Sequence, residues 1–372
     1  MPLASDAERL ARLVAHDFRN IAASDLSVPG SGMVIVGDNG MGKTNVIEAI
    51  AYVGSLRSIR NARDRDLVRH GASHFHIRAA VTGESVREIS IGVERTTGRK
   101  RLALDGVEIP RQTDALGVLS SVVWSPADVS LIAGGPAERR RFLDVMLALS
   151  SRAYLGALRE YRAALERRNA AIRAASRTGR GAGAIAVWEP ALADRGAAVA
   201  AARRAWVAEH AAEFARLCAE VGEPEAARLA YSGDAASTET PADALRDLLA
   251  RERDRDAQRG FTSVGPHRDD LVVTLGGYDA RTFGSAGQQR TAAIALRLLE
   301  ARTLRAHRGR QPVLLLDDPF AELDRTRSAR ALEVLVADEP GQIVLAVPRE
   351  EEIPPEFGRL ARWRISHGMI IA

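Results

Sequence analysis

Residues 37–44 read GDNGMGKT and match Gly-x-x-x-x-Gly-Lys-[Ser/Thr] at every fixed position. That spacing suits phosphate chemistry. Glycines let backbone N–H groups approach phosphate oxygens, a helix start favours negative charge, and a hydroxyl can reach a divalent cation. Lys43 would lie against the β and γ phosphates of ATP, and Thr44 would bind Mg2+. Gly37, Asp38, Asn39, Gly40, Met41, Gly42 and Asn45 would complete the cradle. Of the 52 Lys and Arg residues only Lys43 and Lys100 are lysine. A compact ammonium with three rotatable donors fits between two phosphates where a planar guanidinium does not. The apolar run 33–36 before the loop predicts a buried strand, and Val46, Ile47, Ile50 and Ala51 after it recur at helical spacing. A chance glycine-rich turn would not need that setting.

A nucleotide site needs a second half, and QPVLLLDDPFAELD (residues 311–324) offers one. The apolar residues 313–316 predict a strand that ends at Asp317, where a metal could be held through water. Asp318 would then orient or deprotonate the attacking water. The plainer reading is a strand running into an Asp helix cap. Ser285, Gly287 and Gln288 precede a strongly apolar helical pattern at Ile294, Leu296, Leu298, Leu299 and Leu304. Hydroxyl, free N–H groups and helix dipole converge there as a second anion site, unless Ser285 is only a cap. Two anion sites in one chain suggest that the Ser285 turn of one subunit closes on the nucleotide held by the Lys43 loop of another.

These groups must be carried by large elements. The chain has 372 residues, 46% hydrophobic, enough for a sizeable core and for two or three domains. No apolar run reaches the roughly 18 residues of a membrane span, so a cytoplasmic protein without a membrane partner is expected. The single Cys218 lies among helical apolar residues and reads as a buried structural thiol. The N-terminal third reads as strands with turns at Gly83, Thr97-Gly98 and Asp105-Gly106, and the last third alternates strands and helices. Both ends should build one α/β head, residues 1–124 and 261–372, around a mainly helical arm, residues 125–260. His74 and His76 flank Phe75 on a strand, which predicts a solvated face rather than a metal site.

The middle of the chain is Ala- and Arg-rich, with TGRGAGA (178–184) as the turn of a helical hairpin. On one continuous helix Arg152, Arg159, Arg162, Arg173, Arg177 and Arg180 fall within an arc of about 80°. Tyr154, Leu158, Tyr161, Leu165 and Ile172 fall on another. Residues 131–180 hold 11 Arg and 4 acids, a net +7 against +4 for the whole chain. Such a stripe can track a DNA backbone or can simply be a solvated helix face. Arg57 and Arg60, close behind the phosphate-loop helix, are candidates for nucleotide or DNA contact and equally for exposed structural roles. Residues 220–258 suggest a short strand and a charged helix, with no site chemistry visible.

The phosphate loop, SAGQQ (285–289), LLLDD (314–318) and AELD (321–324), in that order, resemble the ABC-type ATPase heads of DNA repair and chromosome maintenance proteins. Lys43 and Asp317 lie 274 positions apart, more than a transporter domain uses and too little for a long coiled coil. DFRNI (17–21), LRSIR (56–60), SPADVSLIAGGPAERRRFLD (125–144) and GPHRDDL (265–271) narrow the resemblance to the RecF family of bacterial recombination mediators. It runs from about residue 10 to the C-terminus and is weakest between about 175 and 260. The resemblance implies an ABC-type P-loop NTPase head with an inserted helical arm. It also implies an ATP-dependent homodimer that binds DNA at single-strand gaps or single/double-strand junctions. Such a protein would work with RecR and RecO to load RecA in gap repair, replication restart and the SOS response. One departure bears on turnover: related ATPases often carry a His or hydroxyl residue after the last core strand, and here Ala346, Val347 and Pro348 stand there. Slow hydrolysis is therefore expected, and a nucleotide-gated scaffold with negligible catalysis is the alternative.

Overall fold

The structure, a computed structural model, describes residues 8–371 apart from 84, 179–181, 234–240 and 322. The chain divides into two compact bodies, residues 1–128 with 300–372, and residues 129–299. The sequence placed the divisions at 124/125 and 260/261. The second falls later in the structure because β10, defined below, hydrogen-bonds to a strand of the second body rather than to any strand of the first.

The strands, in chain order, are β1 (Arg9–Phe18), β2 (Ile21–Ser27), β3 (Gly32–Val36), β4 (His74–Thr82), β5 (Arg87–Glu94), β6 (Lys100–Leu104), β7 (Val107–Ile109) and β8 (Ser121–Trp124). They continue with β9 (Ala227–Ser232), β10 (Asp270–Leu275), β11 (Tyr278–Asp279), β12 (Val313–Asp317), β13 (Ile343–Val347), β14 (Ala361–Ser366) and β15 (Met369–Ile371).

In the first body β2-β1-β4-β5-β6-β7 form an antiparallel sheet. Burial alternates along it, with Phe75, Ile77, Ala79 and Val81 inward on β4 and His74 and Arg78 outward, as period-two side chains on a one-sided sheet require. His74 and His76 share the face opposite Phe75, and no metal-holding group of His, Cys, Asp or Glu exists among the described residues. The Asp105-Gly106 turn places both residues at positive φ, the backbone that matches the twist of a two-residue hairpin.

The second sheet runs β15-β14-β3-β13-β12-β8, and all of its pairings are parallel except that of β14 with β15. Its central strands GMVIV, VLLLD and IVLAV are buried at every position. Continuous apolar strands are what a parallel sheet covered on both faces demands. Gln342 joins the two sheets: it accepts from Leu10 N at 2.8 Å and donates to Leu10 O at 2.9 Å and Pro29 O at 2.8 Å. Phe18, Tyr52 and Phe75 meet edge-on or tilted in the core at 5.2–6.2 Å.

The second body packs the helices Pro136–Ser150, Arg152–Thr178, Glu189–Val221 and Pro241–Arg259 with the antiparallel sheet β11-β10-β9 and the first part of helix Ala286–Arg308. Arg152–Thr178 is one continuous helix, as the arc argument required. Tyr154, Leu158, Tyr161 and Ile172 are buried, while Arg152, Arg159, Arg162 and Arg173 are exposed. Arg180, residues 179–181 of the expected hairpin turn, and Glu322 of AELD lie outside the described residues. Cys218 is buried, and burial pushes its thiol up to about 12. No helix among the described residues is long and apolar enough to cross a membrane.

Candidate nucleotide site and signature turn

β13 lies between β3 and β12, so the loop leaving β3 and the acids ending β12 reach the same carboxyl edge of the sheet. Helix Lys43–Ser55 starts directly after Gly42, whose φ of 117° excludes other residues at little strain, and where a Cβ would also meet Asn20. No side chain caps this helix. Among the described residues the N–H groups of Gly40, Gly42, Lys43 and Thr44 have no partner, leaving an array of donors at the positive end of a helix. The Lys43 ammonium is buried and folded back on the loop, donating to Gly37 O, to Asp38 O at 3.1 Å and to Asn39 Oδ1 at 3.5 Å. Burial lowers its pKa, opposed by the charges of Asp317, Asp318, Asp38 and Glu352.

Asp317 is buried at the end of β12, and the nearby Thr44 hydroxyl favours its ionised form. Burial raises the pKa of Asp317 and of Asp318, and Lys43 counters both. Asp318 adopts the left-handed backbone at φ 49°, fixed by its N–H to Ala346 O at 2.8 Å. Asp is among the non-glycine residues that take this backbone most readily. The residues after the acids are anchored too: Phe320 packs edge-on against Trp124 at 6.2 Å. A hydroxyl and a carboxylate beside a phosphate cradle are hard oxygen donors. They fit Mg2+, which takes one or two protein oxygens and completes its shell with phosphate and water.

Both lysines prove to occupy confined polar sites. The Lys100 side chain is buried, donates to Asp64 at 2.9 Å and Leu56 O at 2.7 Å, and lies 4.9 Å over the Tyr52 ring. Arg60 is an exposed arginine with a structural task, bonding Glu48 and Asn45. Glu48 is buried on the phosphate-loop helix and receives bonds from Arg19, Arg60 and Ser58. Burial pushes its carboxyl up, and those bonds outweigh it, so the pKa lies below the usual value. Asn45 continues through Asn20 at 2.7 Å to Met41 O at 3.2 Å, tying helix and loop together. Arg57 is exposed.

In the second body the Ser285 turn is exposed at the start of helix Ala286–Arg308. Ser285 Oγ accepts from Gln288 N at 3.3 Å, and Gln288 Oε1 accepts from Ser285 N at 2.9 Å, a reciprocal cap. Tyr278 and Phe283, 69% and 71% exposed and 6.0 Å apart, stand beside it. Gln289 holds the short helix that carries Phe283 through Ala280 O and Arg281 O.

The motifs RRRFLD and GPHRDDL meet inside this body. Arg139 forms a bidentate pair with Asp270 at 2.8 Å, and Arg140 donates to Asp269 O at 2.8 Å. Asp144 joins Arg203, Arg162 and Tyr154, and Tyr161 donates to His267 Nδ1 at 2.6 Å. These stretches are therefore a buried polar framework.

The RecF/RecN/SMC N-terminal-domain family matches residues 9–353. A DNA replication and repair protein RecF of Frankia alni is 38% identical over 364 residues, covering 94% of this chain and 95% of the relative. The chain belongs to the RecF family. A second RecF, from Anaeromyxobacter sp. strain K, is 40% identical over 361 residues with the same coverage. A solved RecF–ATP structure, from the RecFOR pathway, is 27% identical, covers 100% of this chain and 99% of its own, and superposes with a TM-score of 0.91. The Smc head of Pyrococcus furiosus shares only the fold, at 17% identity and a TM-score of 0.53. The fold is thus the ABC-type P-loop head found in RecF and SMC proteins.

Proposed function

We propose that this RecF-family chain is an ATP-dependent DNA-binding recombination mediator whose two copies close around shared nucleotide. Lys43 and the open N–H array bind the phosphates, while Thr44 and Asp317 hold Mg2+. The observation that carries the reading is the open N–H array of Gly40, Gly42, Lys43 and Thr44, without partners among the described residues, at the same carboxyl edge of the sheet as the buried Asp317. The exposed Ser285 turn supplies the second anion site, and it meets the nucleotide bound by the other copy. Large aromatic groups held in water beside the turn are what an association surface retains. ATP binding by the solved RecF relative supports the ligand, and its place in the RecFOR pathway supports DNA, RecR and RecO as partners.

Asp318 activates water, and the apolar Ala346–Val347–Pro348 step beside it keeps turnover slow. Closure on ATP forms a clamp on DNA at single-strand gaps or junctions, which helps load RecA in gap repair, replication restart and the SOS response. Hydrolysis opens it. The Asp318→Asn variant tests this. A clamp with catalysis loses turnover by about 100-fold or more and becomes a long-lived dimer. A scaffold without catalysis behaves as before.

A further inference from the structure

The 33-residue helix Glu189–Val221 ends at Gly222, φ 107°, and the next residue is a carboxylate that is 3% exposed. Glu223 N donates to Cys218 O at 2.8 Å, which fixes the residue at the helix end. Its Oε1 accepts from Glu225 N at 3.1 Å and from Gln288 Nε2 at 3.2 Å. Its Oε2 has no partner among the described residues. Two long bonds and an orphan oxygen are a poor return for burying a carboxylate, so stability does not explain the residue.

Gln288 does three things at once. Its side-chain oxygen accepts from Ser285 N, its backbone N–H donates to Ser285 Oγ, and its amide nitrogen is held by Glu223. This closes the turn on itself and leaves the N–H groups of Ala286 and Gly287 without partners among the described residues. A turn locked in this way needs no rearrangement to receive an anion.

We propose that Glu223 is a positioning residue for the signature turn: by gripping the Gln288 amide it presets the Ser285 cradle for the partner copy's γ phosphate. It also links that cradle to the end of the long helix packed against the arginine-striped helix. The inference rests on the nucleotide-closed dimer proposed above.

The test measures ATP-dependent self-association by sedimentation for the full chain, Glu223→Ala, Glu223→Gln, Gln288→Ala and the double variant. Nucleotide affinity is measured in parallel at dilutions where the protein is monomeric. Glu223→Ala should weaken association about tenfold, the scale of one hydrogen bond to a charged group, without changing monomer ATP affinity. Glu223→Gln keeps an oxygen acceptor for Gln288 and should restore most of the association. Adding Glu223→Ala to Gln288→Ala should cost nothing further, because the two act as one unit. Wild-type association in a folded Glu223→Ala protein, additive losses in the double variant, or tighter association in both Glu223 variants would overturn the inference and leave the dimer standing. If Glu223→Ala does not fold, Gln288→Ala decides: undiminished association by that variant overturns it. A wild-type chain that stays monomeric with ATP removes the dimer reading itself, and the inference with it.

Discussion

At the residue scale, the proposed nucleotide chemistry rests first on Lys43. Replacing Lys43 by Ala removes a charged donor from the phosphate cradle and should lower ATP affinity about 10- to 100-fold, measured by titration with a fluorescent nucleotide. Retained affinity would remove Lys43 from the site. The loop's place between strand and helix was legible in the sequence, because the spacing sets glycines where φ is positive, as at Gly40 and Gly42. Lys100 was not, since its Asp64 and Tyr52 partners come from other parts of the chain. Glu48 left a trace: a carboxylate inside the apolar run NVIEAIAYV demands buried cations, though not which ones. In the sequence His267 stands only as one residue of GPHRDDL. Buried against Tyr161, with Nε2 on Thr262 O at 3.0 Å, its pKa is pushed down to about 4 from 6.5. The unfolded chain binds a proton between those values that the folded body refuses. Stability is thus fully present above about pH 6.5 and falls by up to about 3 kcal/mol toward pH 4. Denaturant titrations at pH 7.5 and 4.5 should show the loss, and His267→Gln should flatten it. A pH slope identical in that variant would contradict the assignment.

At the scale of elements, helical periodicity located the arginine stripe and its apolar back face, because an arc on a single helix needs no knowledge of tertiary structure. What it missed is that the arginines of this helix have divided tasks. Arg162 is committed to Asp144 at 2.7 Å, and Arg168, off the stripe, is fully buried between Asp256 at 2.6 Å and Glu189 at 3.0 Å. Those partners lie 18, 88 and 21 positions away, so spacing along the helix could not reveal them. The consequence is a separation of variants. Arg159→Glu with Arg173→Glu should weaken DNA binding and reduce the slope of log affinity against log salt by about 2, leaving ATP affinity unaltered. Unchanged DNA affinity would make the stripe a solvated face only. Arg168→Met should instead destabilise the helical body by about 3–5 kcal/mol, because it leaves a buried carboxylate unpaired. Chemical denaturation checks this, and a loss below about 1 kcal/mol would contradict the burial account.

For the whole molecule, the order of motifs announced an ABC-type head split by an insertion, and the strand order β3-β13-β12 explains why the Lys43 loop and Asp317 share one edge. The division at 299/300 was not readable, because helix Ala286–Arg308 continues across it without any change of composition. The central claim is that two anion sites on separate bodies are joined between copies by a single triphosphate. Sedimentation with and without Mg-ATP tests it most directly, run on the wild type, Lys43→Ala and Ser285→Arg. ATP should double the mass of the wild type only, with Ser285→Arg still binding ATP at wild-type affinity as a monomer. A Ser285→Arg protein that dimerises on ATP as the wild type does, or a wild type that stays monomeric when saturated, would contradict it.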